Sequence, residues 1–151
     1  MAISKKNAWV VGSRILLGAL FTVFGLNGFL GFLPAPDLPA PAGAFFGALA
    51  ATGYMLPLVK GTEVVAGLAL LSGRAVPLAL VVLAPITVNI LLFHLFLAPG
   101  LGVPLLVLGL QLALAWAYRG SFRGVLSLSA QAEVVREAPS VGHEHGVAVS
   151  R

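Results

Sequence analysis

Residues 75–98 read AVPLALVVLAPITVNILLFHLFLA. No Lys, Arg, Asp or Glu interrupts the stretch, and its polar members are Thr87, Asn89 and His94. A helix rises ~1.5 Å per residue, so about 20 such residues cross the ~30 Å hydrocarbon core of a bilayer. Outward from this segment, three more stretches have the same character. One runs from about Ala8 to Leu33 and stops at Pro34. Another runs from about Leu56 to Ser72 and stops at Gly73. The last runs from about Leu101 to Tyr118 and stops before Arg119. Pro57, Pro77 and Pro104 fall in first turns, where a missing N–H costs little. Pro85 lies inside the third stretch, where it is expected to kink the helix and free the carbonyl of Val81.

The composition of the whole chain agrees. Its 151 residues are 59% hydrophobic and 9% charged, with a mean hydropathy of +1.02. A chain of this size has too little interior to hide so much apolar surface from water, and disorder requires the opposite composition. No cysteine is present, which excludes disulfides, thiolate metal sites, iron–sulfur clusters and cysteine nucleophiles. Nine Lys and Arg against five Asp and Glu give a net charge of +4. The basic residues are scattered singly beside apolar runs, as topology signals are, and do not form the patch that nucleic acid requires.

These charges orient the chain. Lys5 and Lys6 precede the first span, Arg74 separates the second from the third, and Arg119 and Arg123 follow the fourth. The connections 34–55 and 99–100 carry Asp37 alone. The positive-inside rule then places both termini in the cytoplasm. The alternative for the N-terminus is a cleaved signal peptide, with Lys5-Lys6 as its basic region and residues 15–26 as its apolar region. The apolar run continues past signal length, which favours a retained helix. The expected fold is therefore an all-α membrane protein: a four-transmembrane-helix bundle over residues 1–118, with spans at about 8–33, 56–72, 75–98 and 101–118. The first outer connection opens with the stiff, proline-rich run 34–41 and continues as 42–55, rich in Ala, Phe and Leu, where a short interfacial helix is expected. Residues 119–151 form a cytoplasmic tail that holds seven of the fourteen charged residues. A short helix is expected over 126–137 and disorder over the rest.

Ionisable and amide side chains inside spans are costly, so each is a functional candidate. Measured from the span ends, Asn27 lies ~9 Å deep, Lys60 ~6 Å, Glu63 ~10 Å, Asn89 ~13 Å and His94 ~6 Å below the outer face. Gln111 is nearer the middle, and Arg14 lies close to the inner face. Lys60 and Glu63 are three residues apart and share one helix face. With Asn27, Asn89 and His94 nearby, they would form a polar pocket that opens outward, in which Glu63, Lys60, His94, Asn89, Asn27 and Arg14 bind a ligand or handle protons. The competing readings are structural. Lys60 and Arg14 snorkel to headgroups, Asn27 and Asn89 join helices, and His94 is a packed residue. A metal site is not expected in the spans, and the flexible setting of His143-Glu144-His145 in the tail makes it a weak one. The chain has no P-loop, nucleophile elbow or HExxH pattern. Its glycines, among them Gly18, Gly25, Gly28, Gly61 and Gly67, fit close helix packing.

Three motifs carry a resemblance to a known family. Arg14 followed by Ile15-Leu16-Leu17-Gly18-Ala19-Leu20-Phe21 and Phe24-Gly25-Leu26-Asn27-Gly28 resembles the first span of DoxX-type membrane proteins. Lys60-Gly61-Thr62-Glu63-Val64-Val65-Ala66-Gly67, with Arg74 after the span, is similar to their second. Residues 85–97, PITVNILLFHLFL, resemble the third span of a DoxX-like bacterial subgroup. The resemblance covers roughly residues 8–118. It implies a multi-pass protein of the bacterial inner membrane, in a family linked to sulfur or thiol oxidation and oxidant defence, sometimes as quinone-reducing subunits.

Three functions compete on this reading. The first is a non-autonomous subunit of a membrane redox system. It would be an accessory to an oxidoreductase, with redox partner proteins, no covalently bound cofactor, and a quinone as the group to be accommodated. The second is a protein that binds or transports a small solute or protons, which with four helices would need a homo-oligomer. The third is a scaffold in the lipid bilayer without chemistry of its own. An enzyme acting alone is the least expected.

Overall fold

The computed structural model describes residues 5–34 and 37–123, and among these it contains helices and no strand. Five α-helices follow one another: α1 (Lys5–Leu30), α2 (Ala40–Ala51), α3 (Met55–Ser72), α4 (Val76–Phe96) and α5 (Gly102–Ala117). A 3₁₀ turn, Arg119–Phe122, closes the described chain. The helix expected over 126–137 and the His143–His145 segment lie outside the described residues.

The connections are set by residues in left-handed conformation. Gly31 (φ 58°), Gly53 (φ 75°), Gly73 (φ 73°) and Gly100 (φ 106°) each stand between two helices. Ala75 (φ 50°) does the same without glycine's freedom, at a cost of roughly 1–2 kcal/mol. Pro41 and Pro77 occupy first turns of α2 and α4, where the absent N–H has no partner to lose. Pro85 lies within α4, which runs on through it.

α1 packs against α3 and α5, α3 also against α4, and α4 against α5. The four long helices thus close a ring. Its core is Leu17 and Phe21 of α1, Ala66 and Leu70 of α3, Val76, Ala79, Leu80 and Leu83 of α4, and Val107 and Leu114 of α5. α2 lies over one end of the ring, where Ala42 is buried with Phe93 and Ala98 and the Phe45 and Phe46 rings stand 5.8 and 5.1 Å from that of Phe93. A helix therefore stands where an interfacial one is expected.

Polarity is inverted relative to a water-soluble bundle. Glu63, Thr87 and Gln111 are buried, while Val65, Leu78, Phe96, Leu112 and Trp116 are more than half exposed. Apolar outer surface on this scale is compatible with contact with a lipid bilayer. Three helices are long and apolar enough to cross a membrane: Ala8–Leu30, Met55–Ser72 and Val76–Phe96. Four were expected. The fourth, α5, has 16 residues and a length of ~24 Å, because its first turn begins only after Gly100 and it ends at Ala117. α1 also differs from expectation, ending at Leu30. Phe32 and Leu33 continue the apolar run in sequence, but Gly31 breaks the helix and the Leu33 N–H turns back to donate to Asn27 Oδ1 at 2.7 Å.

Candidate functional site

The site is built where α1 crosses α3. The two helices run antiparallel, and glycines bring them together. A Cβ on Gly18 would lie 2.9 Å from the Gly67 carbonyl oxygen, and one on Gly67 would lie 2.8 Å from the Thr22 nitrogen. Backbone therefore meets backbone, the close approach that small residues permit within a bilayer. Farther along, a Cβ on Gly25 would come within 3.1 Å of Glu63 Cβ, and one on Gly28 within 2.5 Å of Lys60 Cγ. Gly25 and Gly28 thus make the room that the Lys60–Glu63 pair occupies.

Lys60 Nζ donates to Glu63 Oε2 at 2.8 Å. The Glu63 side chain is 3% exposed and that of Lys60 25%, so the carboxylate is enclosed and the ammonium reaches the edge. At low dielectric the attraction between the two is strong, yet it chiefly offsets the cost of taking both from water. The i,i+3 spacing that brings them onto one face is legible in the sequence.

The other four candidates make no hydrogen bond to this pair or to one another. Arg14 does not simply snorkel: Nη1 donates to the carbonyls of Leu70 at 2.6 Å and Leu71 at 3.2 Å. These lie in the last turn of α3, where carbonyls lack helical donors and a cation is favoured. Gly73 leaves space for the guanidinium, since a Cβ there would stand 2.5 Å from Nη1. Asn27 holds the turn that ends α1, and with the helix ending at Leu30 it lies only ~5 Å from the helix end. His94 shares a 2.8 Å hydrogen bond through Nδ1 with the Ile90 carbonyl of its own helix, with its ring edge-on to Phe93 at 5.2 Å. Asn89 is exposed on the outer face of α4.

A second polar centre joins α4 to α5. Gln111 Nε2 donates to the Leu80 carbonyl at 2.9 Å, and Gln111 Oε1 accepts from the Thr87 hydroxyl. All of this is buried. Gln111 stands out in the sequence as the one amide of its span, but Thr87 carries no signal of its own. Replacing Gln111 by Leu strands the buried Thr87 hydroxyl and removes the second donor to the Leu80 carbonyl, which keeps its helical one, and should cost about 1–2 kcal/mol. Unfolding in mixed micelles measures this, and the double variant Gln111→Leu/Thr87→Val should recover part of the loss.

Two grooves flank the ring. One, of about 440 Å³, runs between α3 and α4 over Gly61, Thr62, Val65, Ala69, Leu78 and Val82. The other, of about 280 Å³, lies between α4 and α5 beside Thr87, Gln111 and Phe122. Neither is lined by any of the six candidate residues. The first opens on the face of α3 opposite Lys60 and Glu63, and its hydroxyl, Thr62 Oγ1, donates to Leu58. Among the described residues no three His, Asp or Glu side chains converge as a metal site would require.

Known proteins add nothing to this geometry. No family model matches the chain, and no curated protein or solved structure is similar to it. The DoxX resemblance rests on the three motifs alone.

Proposed function

We propose that the chain is a DoxX-like multi-pass protein of the bacterial inner membrane that acts as a non-catalytic membrane scaffold, holding other components rather than transforming a substrate. The observation that carries this reading is the internal use of most of its polar groups, the Thr22 hydroxyl and the Asn89 side chain excepted. Arg14, Asn27, Lys60, Glu63, His94, Thr87 and Gln111 all bond within the chain. In this reading α5 is a fourth span. Its end is extended by Tyr118 and anchored by Arg119, whose guanidinium lies 4.4 Å from the Trp116 ring centre and donates to the Trp116 carbonyl. A basic and aromatic terminus of this kind suits the headgroup level, and a short span is met by local thinning of the bilayer. Both termini are then cytoplasmic, and α2 rests at the outer interface.

The groove between α3 and α4 favours a second reading, the accessory subunit of a membrane redox system. At about 440 Å³ it has room for an apolar ring such as a quinone's, although the lining offers it no free proton donor.

The two readings separate in one experiment. The purified chain in nanodiscs is heated with and without a short-chain quinone analogue, and a deletion strain is complemented with the Lys60→Met/Glu63→Leu variant. The scaffold reading expects no shift in the unfolding midpoint and full complementation. A midpoint raised by the quinone analogue, or a folded double variant that fails to complement, overturns it.

A further inference from the structure

We propose that two copies of this chain associate side by side in the bilayer through the outward face of α4, with Asn89 of one copy hydrogen-bonded to Asn89 of the other. The proposal goes beyond the scaffold reading and concerns a surface that the candidate site does not use. It requires only that α4 span the membrane.

The exposed residues of α4 carry the argument. Ten residues of α4 are exposed, Val81, Ala84, Val88 and Leu95 among them, and the six that include Asn89, namely Leu78, Val82, Pro85, Asn89, Leu92 and Phe96, succeed one another at intervals of four, three, four, three and four. That alternation is the heptad seam of two helices wound around each other. Five of the six are apolar. Asn89 is the exposed polar side chain of α4, seven residues from its end at Phe96 and so ~10 Å inside. An amide facing lipid there has no water to bond, which makes it costly without a partner.

Asn89 also indicates what that partner is. A carboxamide carries both donor and acceptor, so it is its own complement across a two-fold axis. With steps of four into and three out of position 89, Asn89 falls at an a position, where a single Asn fixes the register and pairing of parallel helices. Two copies inserted in the same orientation present α4 parallel, as a two-fold axis along the membrane normal requires. No Lys, Arg, Asp or Glu lies along α4 to call for a partner of opposite charge. Pro85 supports the same face from another direction. Lacking an N–H, it leaves the carbonyl of Val81, itself on the exposed side, without its helical donor, so this face is the least self-sufficient of the helix.

The absence of cysteine makes the test direct. Single cysteines are placed in the full chain at Val82 and Leu92 on the seam, and at Leu16 of α1 and Leu112 of α5 as outward-facing controls. The variants are reconstituted in lipid vesicles at increasing lipid dilution and oxidised. Disulfide-linked dimers are expected at Val82→Cys and Leu92→Cys, persisting at dilutions where the controls remain monomeric. Adding Asn89→Leu should weaken association by roughly threefold to thirtyfold, and Asn89→Gln should retain most of it. Helicity should be unchanged in both, because the side chain points away from the bundle. Equal cross-linking from all four positions overturns the proposal. So does dimerisation that Asn89→Leu leaves unaltered, or a chain that is monomeric at every dilution, which would leave the face to lipid or to a different protein.

Discussion

Replacing Gly67 by Ala should destabilise the bundle by about 2–3 kcal/mol, the upper part of the range for an overpacked interior. The added methyl would stand 2.5 Å from the Thr22 hydroxyl, 2.8 Å from the Thr22 nitrogen and 2.9 Å from the Gly18 carbonyl. Two of these atoms are backbone and cannot rotate away, so α1 and α3 must move apart along the whole crossing. That movement also loosens Arg14 from the end of α3 and opens the space held by Gly25 and Gly28. The same substitution six residues earlier should act in the opposite direction. Nothing stands within 4 Å of a Cβ on Gly61, and Ala is the better helix former by about 1 kcal/mol, so Gly61→Ala should be neutral or stabilising. Unfolding of both variants in the same mixed micelles isolates the crossing from helix propensity. Equal stability of the two would show that the glycine contact contributes nothing.

The contrast between Gly67 and Gly61 shows what a sequence can and cannot convey here. Both are glycines in one apolar span, and composition suggests helix packing for each. Which of them meets a neighbour depends on the rotation of α3 against α1, and the helices are apolar nearly all round, so no amphipathic stripe records that rotation. Span positions are a different matter. Gly73 and Pro99-Gly100 punctuate the chain, and α3 and α4 begin and end within two residues of expectation. The end of α1 is obscured because Phe32 and Leu33 prolong its hydropathy past a break made by backbone geometry at Gly31.

The candidate site divides in the same way. Lys60 and Glu63 are legible because their partnership is local, one turn of one helix. Arg14 is not, because its partners are main-chain carbonyls 56 and 57 residues away, and a carbonyl has no sequence signature. Depth alone groups Asn89 and His94 with Glu63. The structure separates them, since equal depth on different helices does not imply a common face. Asn89 looks outward, and His94 is held by its own helix.

Lys60→Met should be the most damaging single change to the ion pair. It keeps the stem that lies across Gly28 and removes only the ammonium. Glu63, with its side chain 3% exposed, is then left as an enclosed carboxylate without its counter-charge. Removing one partner of a fully buried pair costs about 3–5 kcal/mol. Lys60 is a quarter exposed, so screening lowers the expected loss here to about 2–3 kcal/mol. Glu63→Gln should cost less, about 1 kcal/mol or below. The amide oxygen still accepts from Lys60, and the ammonium can reach outward along its flexible stem. The double variant Lys60→Met/Glu63→Leu should return close to wild type, because an apolar pair of similar volume needs no desolvation. This non-additivity, read as a coupling between neighbouring positions, is the measurement that matters. If Lys60→Met and the double variant were equally unstable, packing across Gly25 and Gly28 would be holding the crossing, with the charges incidental. If Lys60→Met alone were unstable, the pair would be fixing how α1 and α3 meet without adding net stability, which is the structural role the scaffold reading gives it.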